Sequence, residues 1–508
     1  MNGSRLKRLI ALSIWIVLTC SAVAYGQDAA QVLRLSVGYT TLRNSKTLEP
    51  EKRAEVDKLG EMAQRANAAK NYGDALKYLY HAMAILQGSE WSTARELTNA
   101  LTIKLDKAMV EPSQPVAVRL TQMFSLDDKP AGKLVASIAL LKASGDEPVK
   151  ALKTLDPVEA DFMAAPLNCD VSIPDLPDGN YRIAVTLKPA AGDFTVTKSA
   201  LVHLERGLAT KAAAAKARAT VVGLKLKANH QEALLAALAS AEYKIGVYDL
   251  ANASQIGFER VDFDSELGEA SAMLDALSSG SDPFAAKRGD FKKAYRSQVD
   301  DTLQPYRMYV PASYDGSKPF PLVVALHGMG GDENSIFDQY NKGAFKEEAE
   351  KRGYIVACPK GRQPASMYVG SAEQDVLDVI AQVKLGYRID SDRVYMTGHS
   401  MGGFGTWSIA MDHPEIFAAL APISGGGNPQ GMAKIAQIPQ LVIHGDNDKT
   451  VPVERSRVMV AAAKKLGVEI KYVEVPGGSH VDVAAPAFKD IFDWFDSHRR
   501  KAEHAKAA

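Results

Sequence analysis

The sequence predicts a multidomain chain that ends in a mostly parallel sheet with helices on both faces, preceded by a β-sandwich and by helical segments. Three observations predict it. From Tyr306 onward short apolar runs alternate with stretches of helical spacing, the pattern of a sheet buried on both sides. Between Val116 and Leu204 the runs alternate apolar and polar and are separated by turn residues, as in half-buried strands. From Leu48 to Met109, Ala, Leu, Glu and Lys are frequent, and apolar residues such as Ala75, Leu76, Leu79, Met83 and Leu86 recur at helical spacing. At 508 residues the chain exceeds one ordinary core, so roughly two to four domains are expected.

Composition narrows the function classes. Hydrophobic residues make up 46% and charged residues 24%, which fits folded domains and argues against wholesale disorder. With 60 basic and 60 acidic residues there is no net field to gather a polyanion, so nucleic acid is not expected as a partner. Arg5, Lys7 and Arg8 precede an apolar run from Leu9 to Leu18, and small residues follow as far as Ala24-Tyr25-Gly26. That is the layout of a cleaved export signal over 1–26, with maturation near Gln27. The run is shorter than the roughly 20 residues a membrane span needs, so no stable span after processing is expected. Cys169 and Cys358 remain, too few and too far apart for a disulfide framework. No Cys/His spacing suggests a metal.

Taken in order, 27–111 reads as a helical segment, and Ala68-Ala69-Lys70-Asn71-Tyr72-Gly73-Asp74 resembles the turn of a tetratricopeptide-type hairpin. No second copy follows at that period, so a packing role is expected. Pro112 and Pro115 end the helical pattern, and 112–205 reads as a sandwich of short strands. Helical signals return over 206–299, including the alanine-rich stretch Lys211 to Thr220, as a helical segment or a linker. Residues 300–498 form the α/β domain, and 499–508 is a polar tail.

The chemistry concentrates in that last domain. Val394-Tyr395-Met396-Thr397-Gly398-His399-Ser400-Met401-Gly402-Gly403 is an apolar strand running into Gly-x-Ser-x-Gly and then helical spacing. A sharp strand-to-helix turn of this kind holds the serine hydroxyl out of the backbone, and the flanking glycines remove side chains that would clash. Pro321 to Leu326 is a continuous apolar run that enters His327-Gly328-Met329-Gly330-Gly331, a loop whose N–H groups can approach a developing oxyanion. Pro439 to Ile443 ends in His444-Gly445-Asp446-Asn447-Asp448, and His480 lies in the loop Pro476-Gly477-Gly478-Ser479-His480. Serine, carboxylate and histidine thus occur in the order expected on such a sheet.

A serine hydroxyl is a weak nucleophile, so His480 is expected to take its proton and Asp448 to orient the imidazole. Composition leaves Asp446 open beside Asp448. The N–H groups of Met401 and of Met329 or Gly330 are the candidate oxyanion donors. Asp375 reads as a charge near a helix start, His327 and His444 as structural hydrogen-bonding groups, and Ser424 as a turn residue. By strand alternation His399 points away from Ser400 and packs. Tyr368, Phe404 and Trp407 are aromatic candidates for the pocket or the core.

These motifs together resemble the α/β-hydrolase superfamily, in particular the secreted group of feruloyl and acetylxylan esterases, polyhydroxyalkanoate depolymerases and prolyl-oligopeptidase-like predicted peptidases. Leu326 to Asp332 looks like that group's oxyanion loop, and Arg388 to Gly403 is close to its nucleophile region. His444-Gly445-Asp446-Asn447-Asp448-Lys449-Thr450-Val451-Pro452 matches its HGxxDxxVP acid motif, and this match places the carboxylate on Asp448. Some members carry an immunoglobulin-like domain ahead of the hydrolase; Leu176-Pro177-Asp178-Gly179-Asn180 before the strand Tyr181 to Leu187 is similar to such domains. The resemblance implies a serine ester hydrolase without metal or organic cofactor, acting on a small-molecule or polysaccharide-linked ester. A serine peptidase uses the same groups. A binding module with a degenerate hydrolase domain is the alternative of another class, although no position of the three is missing.

Overall fold

The computed structural model describes residues 29–500 apart from 129, 131, 190–193, 259–260, 342 and 364. The export signal expected over 1–26 and most of the polar tail lie outside the described residues. The chain divides between Arg206 and Gly207 into two compact units.

In the first unit the helices Pro50–Ala68 and Tyr72–Leu86 form the hairpin expected from the sequence. Asn71 caps the second helix by accepting the Asp74 N–H at 3.3 Å. The helical segment ends earlier than expected. Thr93–Ala100 is its last helix, and Leu101–Leu105 (β1) and Met109–Val110 (β2) are already strands. The reason lies in Leu101-Thr102-Ile103-Lys104-Leu105, where β-branched residues meet a ready partner. β1 pairs antiparallel with Pro115–Gln122 (β3).

Leu134–Lys142 (β4), Pro148–Val158 (β5), Leu167–Ser172 (β6), Gly179–Pro189 (β7) and Val196–Leu204 (β8) complete two sheets, in the orders β1-β3-β6 and β2-β8-β7-β4-β5. On β3 the alternate residues Val116, Val118 and Leu120 are buried, as the period of two requires. They share one core with Leu76 and Leu79 of the hairpin and with Ile183, Val185 and Leu187 of β7. The hairpin and the strands therefore form one unit, where the sequence suggested two segments.

The second unit begins with the helices Leu208–Ala228, Glu232–Asn252 and Phe263–Ser278. They are not a linker. Ala237, Leu238, Ala241 and Ile245 share a core with Tyr295, Tyr306 and Met308, and Ser240 Oγ is hydrogen-bonded to both the N–H and the carbonyl of Ala294.

The sheet also starts earlier than residue 300. Gly289–Arg296 (β9) precedes Leu303–Val310 (β10), Phe320–Leu326 (β11), Ile355–Pro359 (β12), Ile389–His399 (β13), Ala419–Ile423 (β14), Gln440–Gly445 (β15) and Ile470–Val475 (β16). Their order is β16-β15-β14-β13-β11-β12-β10-β9. β10 is antiparallel to both its neighbours, and the strands from β11 to β16 are mutually parallel. β11 is buried along its whole length; Leu322, Val324 and Leu326 enter one core, and Val323 and Ala325 the other. That division accounts for a continuous apolar run instead of an alternating one. The C-terminal ends of β11, β13, β15 and β16 lead into Met329, Ser400, Asp448 and His480.

Candidate active site

Ser400 stands between β13 and the helix Met401–Asp412, with φ +57° and ψ −118°. This is backbone that a residue with a Cβ adopts only under constraint. The constraint is visible. Ser400 N–H donates to the Ile423 carbonyl at the end of β14 at 2.9 Å, and a Cβ on Gly402 would lie 2.2 Å from the Leu326 carbonyl oxygen. The helix crosses the end of β11 too closely for any side chain there, so the two glycine-flanked strand ends fix where the serine emerges.

Ser400 Oγ lies 2.8 Å from His480 Nε2, and His480 Nδ1 lies 2.6 Å from Asp448 Oδ2. Three residues far apart in sequence converge at one sheet edge. Asp448 is the carboxylate that reaches the imidazole. Asp446 instead accepts the Gly477 N–H at 2.7 Å and braces the loop that carries His480. That loop is seated against β15, where a Cβ on Gly445 would stand 2.1 Å from the Gly478 carbonyl oxygen.

The Asp448 side chain is fully buried. Burial would raise its pKa, but the N–H groups of His444 and His480, with the Val451 N–H, hold it well below the usual carboxylate range. Its Oδ1 accepts the N–H groups of Thr450 and Val451, each at 2.8 Å.

The loop after β11 lies beside the serine. A Cβ built on Gly328 would be 3.5 Å from Ser400 Cβ and 3.5 Å from the His399 carbonyl oxygen. Among the described residues, no acceptor is paired with the N–H of Met329 or of Met401. His327 spans the carbonyls of Gly328 and Lys360, each at 2.8 Å, and so shapes this loop.

Of the aromatic candidates, Trp407 is fully buried, with its indole N–H on Gln440. Tyr368 is buried against Gly361 and Gly405, and Phe404 packs on Gly426. Asp375 is buried, accepts the Tyr295 hydroxyl at 2.7 Å and pairs with Arg362 at 2.8 Å, away from the serine's partners. Among the described residues no group of three His, Cys, Asp or Glu side chains could hold a metal ion. Among them no helix is long and apolar enough to cross a membrane. Cys169 and Cys358 are both free.

Sequence reasoning placed His399 only as a packing residue and missed Tyr340. His399 Nε2 is 2.6 Å from the backbone carbonyl of His480, and its Nδ1 is 2.8 Å from Tyr340 Oη. A carbonyl only accepts, so Nε2 carries the proton and the tyrosine hydroxyl donates to Nδ1. The side chain, expected only to pack away from Ser400, thereby holds the backbone of His480. The only signal in the sequence was its place as the last strand residue before Ser400.

Burial, with the nearby His480, pushes the His399 pKa down to about 4 from the ordinary 6.5. Between those values the unfolded chain binds the extra proton, so stability falls as pH drops from about 6.5 to about 4, by up to about 3 kcal/mol. His399→Gln, whose amide can still donate to the carbonyl, is expected to flatten this dependence. Calorimetric Tm values at about pH 7 and pH 4.5 check it, and an equal loss in both proteins would sink the assignment.

An open, mostly parallel sheet with a serine on the turn between a central strand and its helix defines the α/β-hydrolase class. A model of PET hydrolase-like proteins matches residues 362–491, a span that includes Ser400, Asp448 and His480. A bifunctional acetylxylan esterase/xylanase of Neocallimastix patriciarum is 34% identical over 145 residues, covering 28% of this chain and 21% of that protein. A "Probable feruloyl esterase C" of Aspergillus oryzae is 30% identical over 186 residues, covering 35% of this chain and 68% of that protein.

A solved structure titled as a thermostable esterase is 18% identical, covers 78% of this chain and 100% of its own, and superposes with a TM-score of 0.37. On the Aspergillus oryzae relative, the chain belongs to the feruloyl esterase family of α/β-hydrolases, which are carboxylic ester hydrolases. The match takes in about a fifth of the first relative and about two thirds of the second.

Proposed function

We propose that the chain is an exported serine hydrolase that cleaves carboxylic esters through an acyl-enzyme on Ser400. The observation that carries the reading is the unbroken relay from Ser400 Oγ through His480 to Asp448, at 2.8 Å and 2.6 Å. In it His480 Nε2 accepts the serine proton as Oγ attacks the ester carbonyl, and Asp448 stabilises the imidazolium that forms. The negative charge moves to the former carbonyl oxygen, where the free N–H groups of Met401 and Met329 would receive it. Such a donor is worth about 3 kcal/mol in the transition state. His480 then protonates the leaving alcohol, and water repeats the sequence to release the acid.

The names of the relatives favour feruloyl esters or the acetyl esters of xylan as substrates, and the basic-then-apolar start of the chain favours export. We place the front unit as an accessory, immunoglobulin-like sandwich braced by its helical hairpin. The test is a panel of acetyl, butyryl and feruloyl esters and a peptide amide, at equal concentration on the purified protein. Ester turnover with kcat/KM at least about 100-fold above the amide is expected. Preferential cleavage of the amide would replace the reading with a peptidase.

A further inference from the structure

Asp448 serves two imidazoles. The oxygen that accepts from His480 Nδ1 at 2.6 Å, Oδ2, also lies 3.2 Å from Nε2 of His444. The same nitrogen is 2.9 Å from the Val451 carbonyl. Both neighbours accept only, so His444 Nε2 carries a proton and shares it between them. On the far side of the ring Nδ1 is 2.7 Å from Ser456 Oγ, which is itself 3.2 Å from the Gly425 carbonyl. With the proton on Nε2, Nδ1 carries the lone pair, and the serine hydroxyl donates its one proton to that nitrogen or to Gly425. His444 is fully buried and has a partner for each nitrogen.

We propose that His444 is a positioning residue that tunes the charge on Asp448 Oδ2 and, through it, the readiness of His480 to act as base. The inference rests on the acyl-enzyme reading of Ser400, His480 and Asp448. A second N–H on Oδ2 withdraws part of the carboxylate's negative charge. The His480 imidazolium is then stabilised less than it would be by an Oδ2 that served His480 alone. Among the described residues, charged or titratable groups nearby include His399, at the end of β13, Glu474, which faces His444 across the β15–β16 pair and is held by Arg457, and Asp446 and Asp482, which accept backbone N–H groups of the His480 loop. Among the described residues none of these is hydrogen-bonded to Oδ2, so the direct lever on that oxygen besides His480 is His444.

The experiment is the pH profile of kcat/KM for a short ester, measured from about pH 5 to pH 9 on the full chain, its His444→Phe and its His444→Gln variants. Phenylalanine keeps the ring volume and removes both nitrogens; its acidic limb is expected about one pH unit higher, so that activity below the limb falls about tenfold with KM little changed. Glutamine places an amide N–H near the former Nε2 and is expected to keep the wild-type limb within a few tenths of a unit. An unmoved limb in His444→Phe overturns the proposal, and so does a limb moved as far by glutamine, which would mean packing alone.

If His444→Phe does not fold, Ser456→Ala answers the same question. It leaves the ring in place but weakens its polarisation, and its limb is expected to move the same way by less; no movement overturns the proposal. Ser400→Ala separates the two levels. If it stays active, the acyl-enzyme reading fails, whereas loss of activity there with coincident profiles in the other variants sinks only the role of His444.

Discussion

Replacing Ser400 by alanine is expected to lower kcat for a short p-nitrophenyl ester by about 10⁴- to 10⁶-fold, with the fold intact. The size follows from what is lost. Without Oγ no acyl-enzyme forms, and the remaining groups can only polarise the ester and position water. The variant should still fold. Alanine also has a Cβ, so the positive φ at this position costs about what it does with serine, and the backbone bond from residue 400 to Ile423 is untouched. Oγ makes one hydrogen bond, to His480, whose side chain is 13% exposed and can take water in its place. Far-UV circular dichroism and Tm should match the parent within a few degrees while turnover disappears. Retained turnover would move the nucleophile elsewhere. Ser424, buried at the end of β14 with no partner for its hydroxyl, would be the next serine to replace.

The central sheet was legible because its strands are buried on both faces and so differ from everything around them. The seven residues of β11 are apolar without interruption, and the turns after β11, β13 and β15 carry their glycines where backbones approach most closely, as at Gly402 and Gly445. The edge was not legible. β9, Gly-Asp-Phe-Lys-Lys-Ala-Tyr-Arg, carries charges at positions that a strand pattern would keep apolar. Its Lys293 is buried with the ammonium 4.5 Å from the Phe284 ring centre, a contact that no local period announces.

The first of the helices over 208–278 reads equally as a packed helix or a spacer because alanine and lysine dominate it. Their apolar residues count only once the sheet is there to receive them. At His399 alternation gave a packed side chain but not what it packs on. Beyond the last paired residue the chain turns into the nucleophile, and the side chain meets a loop that arrives 81 residues later. In the front unit the strand at Leu101 was hidden because its pairing partner, β3, follows the prolines that seemed to end a helical segment.

Asp448→Asn is expected to lower kcat at neutral pH by about 10⁴-fold, an effect nearly as large as loss of the nucleophile but reached through geometry. The carboxylate accepts on every side, from Thr450 and Val451 at Oδ1 and from His480 and His444 at Oδ2. An amide has one accepting oxygen and one donating nitrogen. The two backbone N–H groups cannot reverse their polarity, so the amide oxygen stays with them and the NH₂ turns toward the imidazoles. His480 must then present a lone pair at Nδ1, which puts its proton on Nε2, facing Ser400. In that tautomer it cannot accept the serine proton.

Turning the amide the other way would oppose its NH₂ to the Thr450 and Val451 N–H groups in a buried site, and the cost would appear as lost stability instead. Steady-state kinetics and Tm on the same preparation separate the two outcomes. Asp446→Asn is the matched control, since it removes only a carboxylate that holds the Gly477 N–H. A value of kcat for Asp448→Asn within about tenfold of the parent, with stability unchanged, would show that no carboxylate orients His480 and would return the reaction to a serine–histidine pair.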